Sequence, residues 1–111
     1  MNLPDFILNA GTLDLPIPED IVTATGFRSE KGLVAFFNVH KDVTLPPHSH
    51  GAQWGTVLEG SIALTMNGVT RTYGPGESYD IPAGVEHGAT VPAGSKLIDI
   101  FEESDRYAFR T

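Results

Sequence analysis

Glycine and proline punctuate this chain: 12 Gly and 8 Pro among 111 residues break its apolar stretches into short pieces. No segment carries the apolar period of an amphipathic helix, and no internal repeat or low-complexity tract is visible. Between the breaks lie runs rich in Val, Ile, Phe, Tyr and Thr, side chains that pack well on a pleated surface. The predicted strands cover residues 33–41, 54–58, 79–81, 88–91 and 96–101, with a hairpin over 62–73. The hairpin turns at Asn67-Gly68, because both residues tolerate the positive φ of a tight two-residue connection. A turn over 92–95 separates the last two strands. Many short strands with regular turns predict a sandwich or barrel. Residues 1–20 carry Pro4, Pro16 and Pro18 among apolar positions, too interrupted for a helix interior. They are expected to form an edge strand or an arm that crosses onto a second subunit.

Size and charge narrow the possibilities. At 11.9 kDa and 41% hydrophobic residues the chain makes one domain, small enough that contacts between copies help it. Its formal net charge of -7 makes nucleic-acid phosphate and anionic membrane poor partners. There are no cysteines, which removes disulfides, thiolate nucleophiles and thiolate metal ligands together. Residues 1–5 lack the basic start and apolar run of a signal peptide, and no stretch reaches membrane-span length, so a cytoplasmic location is expected.

The chemistry concentrates in two short segments, His48-Ser49-His50 with Gln53, and Pro82-Ala83-Gly84-Val85-Glu86-His87. In extended backbone, residues two apart face the same way, so His48 and His50 can turn both imidazoles to one ion. A short β connection can add Gln53; if Gln53 binds weakly or faces elsewhere, a three-histidine site remains. A third imidazole comes from another strand through His87, just beyond the chain-bending Pro82 and Gly84. Neutral imidazoles suit a transition metal, whereas calcium and magnesium prefer oxygen. His40, before Lys41 and Asp42, reads as a solvated strand end.

The last strand adds a carboxylate. Alternation puts Leu97, Asp99 and Phe101 on one face and Ile98 and Ile100 on the other. If the first face is buried, Asp99 is a carboxylate among apolar residues that requires a partner or a role, and it becomes a candidate general base. If the isoleucines are buried instead, Asp99 is solvated. Trp54, Phe36 and Phe37 read as core, Glu59 and Glu77 as turn residues, and Tyr79 as a pocket wall, since its alternation with Ile81 leads toward His87.

Taken together, these segments resemble the cupin superfamily. Its first motif, G-x5-H-x-H-x(3,4)-E-x6-G, matches at His48, His50 and Gly60. Asp42 stands at its opening Gly, and Gln53 at its Glu after a spacer one residue short. Its second motif, G-x5-P-x-G-x2-H-x3-N, matches Gly76, Pro82, Gly84 and His87, with Val91 at the final Asn. The resemblance implies a single-domain double-stranded β-helix, or jelly-roll barrel. Residues 33–111 would form the barrel, and residues 1–32 an N-terminal arm or edge strands packing on it or on a partner subunit. It also implies a homodimer binding one divalent metal (Ni, Zn, Mn or Fe) through His48, His50, Gln53 and His87. With Gln in place of the usual carboxylate the ion keeps its double charge, which suits carboxylate or enolate oxygen.

A further resemblance is to the cupins that open unsaturated uronates from pectin or alginate to linear keto acids. That group places an Asp and a Phe on the last strand, here Asp99 as the proton-moving residue and Phe101 at the substrate. Arg106 would then meet the carboxylate of a small-molecule substrate with its planar fork, Arg110 being the competing position. The expected function is thus a Lewis-acid isomerase or lyase acting on a sugar acid or keto acid. An iron-dependent dioxygenase and a non-catalytic acid-binding module are the alternatives.

Overall fold

The computed structural model describes residues 2–110, and among these the regular secondary structure is almost entirely antiparallel β. A seven-stranded sheet has the order β11-β1-β2-β3-β10-β5-β8, and a four-stranded sheet the order β4-β9-β6-β7. The strands are β1 (Gly11–Asp14), β2 (Val22–Ser29), β3 (Gly32–Val39), β4 (Val43–His48), β5 (Gln53–Glu59) and β6 (Ile62–Met66). β7 (Val69–Tyr73), β8 (Ser78–Ile81), β9 (His87–Val91), β10 (Lys96–Phe101) and β11 (Ala108–Phe109) complete the set. Chain neighbours often lie in different sheets, β4 in one and β5 in the other, which is the crossing pattern of a jelly roll.

Alternation explains the core. In β2 the inward residues Val22 and Ala24 are buried, in β3 Leu33, Ala35 and Val39, and in β10 Leu97, Asp99 and Phe101. The larger cluster joins Val39, Val57 and Leu97 of one sheet to Ile62, Leu64 and Val91 of the other. A smaller one gathers Leu13, Ala24, Leu33, Ala35 and Phe101. The hairpin of β6 and β7 turns where predicted, with Asn67 at φ 51° and Gly68 at φ 76°.

Five details differ from the sequence expectations. A one-turn helix, α1 (Asp5–Leu8), forms behind Pro4, whose carbonyl accepts from Ile7 and Leu8. Strand β2, hidden by its threonines and Gly26, pairs along its full length with β3, so residues before 33 supply two strands of the large sheet. Strand β4 tolerates Pro46 and Pro47 because it lies at a sheet edge, where a missing N–H breaks no ladder. Trp54 is not core: Gly55 and Val57 point inward, which turns Trp54 outward at 43% exposure. Phe36 likewise sits against Phe27, whereas Phe37 packs on the core. No helix among the described residues is long and apolar enough to cross a membrane.

Candidate metal centre

The three motif histidines come together at one end of the space between the sheets. His48 ends β4 and lies opposite His87, the first residue of β9. His50 lies beyond the strand end, so loop geometry as well as strand alternation brings it in. Its carbonyl accepts from the Gly84 N–H at 2.9 Å, which ties the two motifs to each other. Ring centroids are 4.4 Å apart for His48 and His87, 4.8 Å for His50 and His87, and 5.2 Å for His48 and His50. One ligand atom from each residue lies within 4.8 Å of the other two, a spacing that can hold a metal ion.

The donor set fits a metal in its chemistry as well. Each Nδ1 is 2.8–2.9 Å from a backbone carbonyl: Pro46 for His48, Gly51 for His50 and Val85 for His87. A carbonyl only accepts, so each Nδ1 carries a proton, and in the neutral imidazole each Nε2 then keeps its lone pair free. Burial outweighs those carbonyl bonds and, with smaller help from neighbouring Arg106 and histidine charge, holds His50 and His87 below the usual imidazole range. Neutral imidazoles with free Nε2 atoms are what a transition metal requires.

Two glutamates clamp the loop between His48 and β5. Glu103 accepts from the Gly51 N–H at 2.8 Å, and Glu102 from the Ala52 N–H at 2.9 Å. Neither stands out in the sequence, since their role depends on β10 ending beside this loop.

Gln53 opens β5, opposite Phe101, and its Nε2 donates to Asp99 Oδ1 at 3.0 Å. The carboxamide oxygen is the atom left to act as a ligand. Asp99 faces inward at 4% exposure, on the same face as Leu97 and Phe101. The Tyr79 hydroxyl donates to the same Oδ1 at 2.6 Å. Burial pushes the Asp99 carboxyl up to about 6, against the opposing effect of the Tyr79 and Gln53 bonds. Burial and then the Asp99 charge hold the Tyr79 phenol far above its ordinary range, so it stays a donor.

Gly55 makes this contact possible. It sits between Asp99 and Tyr79 in register, paired with one on each side. A Cβ at that position would lie 2.2 Å from Asp99 Oδ1 and 2.3 Å from Tyr79 Cζ. Glycine inside a strand signals a close approach, and here the approach is made by the two side chains that flank it.

Arg106 closes the group from the C-terminal segment. Its guanidinium lies 4.5 Å from the Tyr107 ring centre and 5.8 Å from that of Phe101. Its Nε–H is buried and makes no hydrogen bond among the described residues. Phe101 in turn stands 5.8 Å from the His50 ring. The three histidines, Gln53, Tyr79, Asp99, Phe101 and Arg106 line one cavity of about 90 Å³, whose wall continues to Val22, Ile62 and Leu97 of the apolar core. Tyr107, which no sequence motif singles out, belongs to the same wall. Arg110 is turned away, toward Glu19 and Asp14. His40 stays outside the group, with its Nε2 2.8 Å from the Thr23 hydroxyl.

An antiparallel jelly roll with a three-histidine cluster at the mouth of its interior defines the cupins. The sequence profile of the Cupin domain family matches residues 35–101, and the chain belongs to that family. Among solved structures it is similar to KdgF from Halomonas sp., at 21% identity and TM-score 0.73, over 84% of this chain and 87% of that one. It is also similar to an RmlC-like cupin from Shewanella frigidimarina, at 23% identity and TM-score 0.76, over 89% and 88%. With oxalate decarboxylase from Bacillus subtilis it shares 16% identity and a TM-score of 0.72, over 89% of this chain but 29% of the other. At such identities the likeness is one of fold. Comparison with curated proteins finds no match.

Proposed function

We propose that this cupin is a metal-dependent enzyme acting on a small sugar acid or keto acid, with ring opening of an unsaturated uronate as the leading reaction. One observation carries the proposal: the three-histidine cluster, the Asp99 carboxylate and the Arg106 guanidinium line the same cavity. His48, His50 and His87 would hold the ion, with the Gln53 carboxamide oxygen as a further ligand. A divalent transition metal there supplies Lewis acidity toward a carbonyl or hydroxyl oxygen.

The remaining work falls to the protein's own side chains. Arg106 binds the substrate carboxylate, its charge matched to the anion and its buried Nε–H in need of an acceptor. Phe101 and Tyr107 form the wall beside it and exclude water. Asp99 takes the proton of the anomeric hydroxyl as the ring C–O bond breaks, and the electron pair stays on the former ring oxygen as an enolate. The same proton then returns to carbon, giving a linear keto acid with no oxidant or co-reactant consumed. A cavity of about 90 Å³ suits the reacting end of one small molecule rather than an oligosaccharide.

Protein stripped by a chelator is expected to stop consuming an unsaturated uronate, followed through the ultraviolet absorbance of its conjugated double bond. Nickel, zinc, manganese or iron should restore turnover. Turnover that survives verified stripping would sink the metal's role, and oxygen uptake with iron would replace ring opening by oxygenation. Replacing His87 by Ala removes the ligand that joins the two motifs. It should weaken zinc binding by at least about tenfold to a hundredfold in a competition titration, as loss of a ligand's mere support already does. Unchanged affinity would place the ion elsewhere.

We also propose that the protein is a homodimer. Phe27, Trp54 and Ile100 are 47%, 43% and 41% exposed on the outer face of the large sheet. With Val34 between them they form one row across β2, β3, β10 and β5. An apolar row crossing four strands is the kind of surface that a subunit contact covers, and its self-pairing would be isologous. Light scattering should give twice 11.9 kDa, and Trp54→Asp with Ile100→Asp should halve it. A monomeric wild type, or a dimer indifferent to both changes, overturns the proposal.

A further inference from the structure

The choice of Gln rather than a carboxylate at position 53 has a cause in the structure. Gln53 Nε2 donates to Asp99 Oδ1 at 3.0 Å, and that oxygen also receives the Tyr79 hydroxyl at 2.6 Å. Asp99 is buried, and an ionised carboxylate only accepts, so each neighbour in hydrogen-bond reach of it has to donate. A Glu at position 53 has no proton to give. It would set two carboxylate oxygens about 3 Å apart in a site shielded from water, where like charges repel strongly.

We propose that Gln53 and Asp99 form one unit in which the Asp dictates the amide: Asp99 takes the NH2 end of Gln53 and thereby leaves the carbonyl oxygen for the ion. Tyr79 is the positioning residue that holds Asp99 for this task. It reaches Asp99 only because Gly55 carries no Cβ between them. Three residues on three adjacent strands, Asp99 on β10, Gly55 on β5 and Tyr79 on β8, thus set the orientation of one ligand, Gln53. The ligand orientation rests on the proposed metal site, but the pairing of residues 53 and 99 does not.

Four metal-free proteins test the pairing at pH 8 by denaturant unfolding: wild type, Gln53→Glu, Asp99→Asn and the double variant. In the double variant the two groups exchange roles, since the amide now at position 99 can donate and the carboxylate now at position 53 can accept. Gln53→Glu should lower the folding equilibrium constant, and adding Asp99→Asn to it should restore stability at least tenfold more than the same change does in wild type. Equal effects of Asp99→Asn in both backgrounds would overturn the proposal. If Gln53→Glu does not fold, a folded double variant supports the pairing, and an unfolded double variant overturns it.

Zinc titration adds a second readout, independent of turnover. Asp99→Asn keeps an acceptor for Gln53 and should retain affinity. Asp99→Leu removes the acceptor and should lose about tenfold or more. Equal affinity in these two variants would overturn the orienting role, while leaving the enzymatic proposal to its own assay.

Discussion

Replacing Asp99 by Asn is expected to lower turnover of an unsaturated uronate by about 10²–10⁴-fold, the usual worth of a positioned acid–base group. The same change should make the metal-free fold more stable above neutral pH. The reason is the sign of the carboxyl's displacement. Burial raises Asp99 from the usual 3.8 to about 6, so the folded state holds this proton more tightly than the unfolded chain does. Its contribution to stability is complete below about pH 4 and is lost as pH rises through about 6. The difference corresponds to about 3 kcal/mol, of which the Asn variant loses none. Wild type and variant share the surroundings of this group: Tyr79 from β8, Gln53 from β5, and Arg106 and Tyr107 from the C-terminal segment. They also share the depressed histidines, so the comparison isolates Asp99. Unfolding curves of the two metal-free proteins should nearly coincide at pH 4 and separate by pH 8 in favour of Asn. A wild type as stable as the variant at pH 8 would show that the carboxylate is not burdened by burial. Unchanged turnover would remove it from the chemistry.

The second large effect is expected at Gly55, a residue with no functional group. A methyl there cannot coexist with Asp99 Oδ1 at 2.2 Å and the Tyr79 ring at 2.3 Å. Both neighbours are buried, and the Tyr79 ring also packs against Tyr73, 5.5 Å between ring centres. Overpacking of this kind costs about 1–3 kcal/mol, which the smaller entropy gain of Gly→Ala in the unfolded chain offsets only in part. Gly55→Ala should therefore lower the melting temperature by about 5–15 °C. It should also reduce turnover, because the hydrogen bond between Tyr79 and Asp99 is the contact that must open. Adding Tyr79→Phe removes the hydroxyl but leaves the ring, and so should not rescue it. A Gly55→Ala protein with wild-type melting and turnover would refute the close approach.

Much of the architecture is written locally. Strand runs between Gly and Pro breaks, the Asn67-Gly68 turn and the shared face of Leu97, Asp99 and Phe101 follow from periods and turn chemistry that neighbouring residues carry by themselves, whereas which face of that strand is buried does not. The cupin motifs were legible for the same reason, as fixed spacings of His, Gly and Pro. Strand β4 was not, because its two prolines read as a break until an edge position excuses them. The direction of Trp54 depended on the register of Gly55, and β2 is recognised as a strand mainly by what it pairs with. The loop clamp by Glu102 and Glu103 joins residues about fifty positions apart, and no local pattern announces it.

Sequence alone determined the fold class, the three histidines and the shared strand face of Leu97, Asp99 and Phe101, while the packing of the sheets turned that face inward. Tertiary structure decided which atoms meet. Gln53 and Asp99 are 46 residues apart in the chain, and Tyr79 and Asp99 are 20 apart. They touch because β10, β5 and β8 align in one register with a glycine at the crossing. Register is a property of the whole sheet, set by the packing of every inward face at once, so no single segment can encode it.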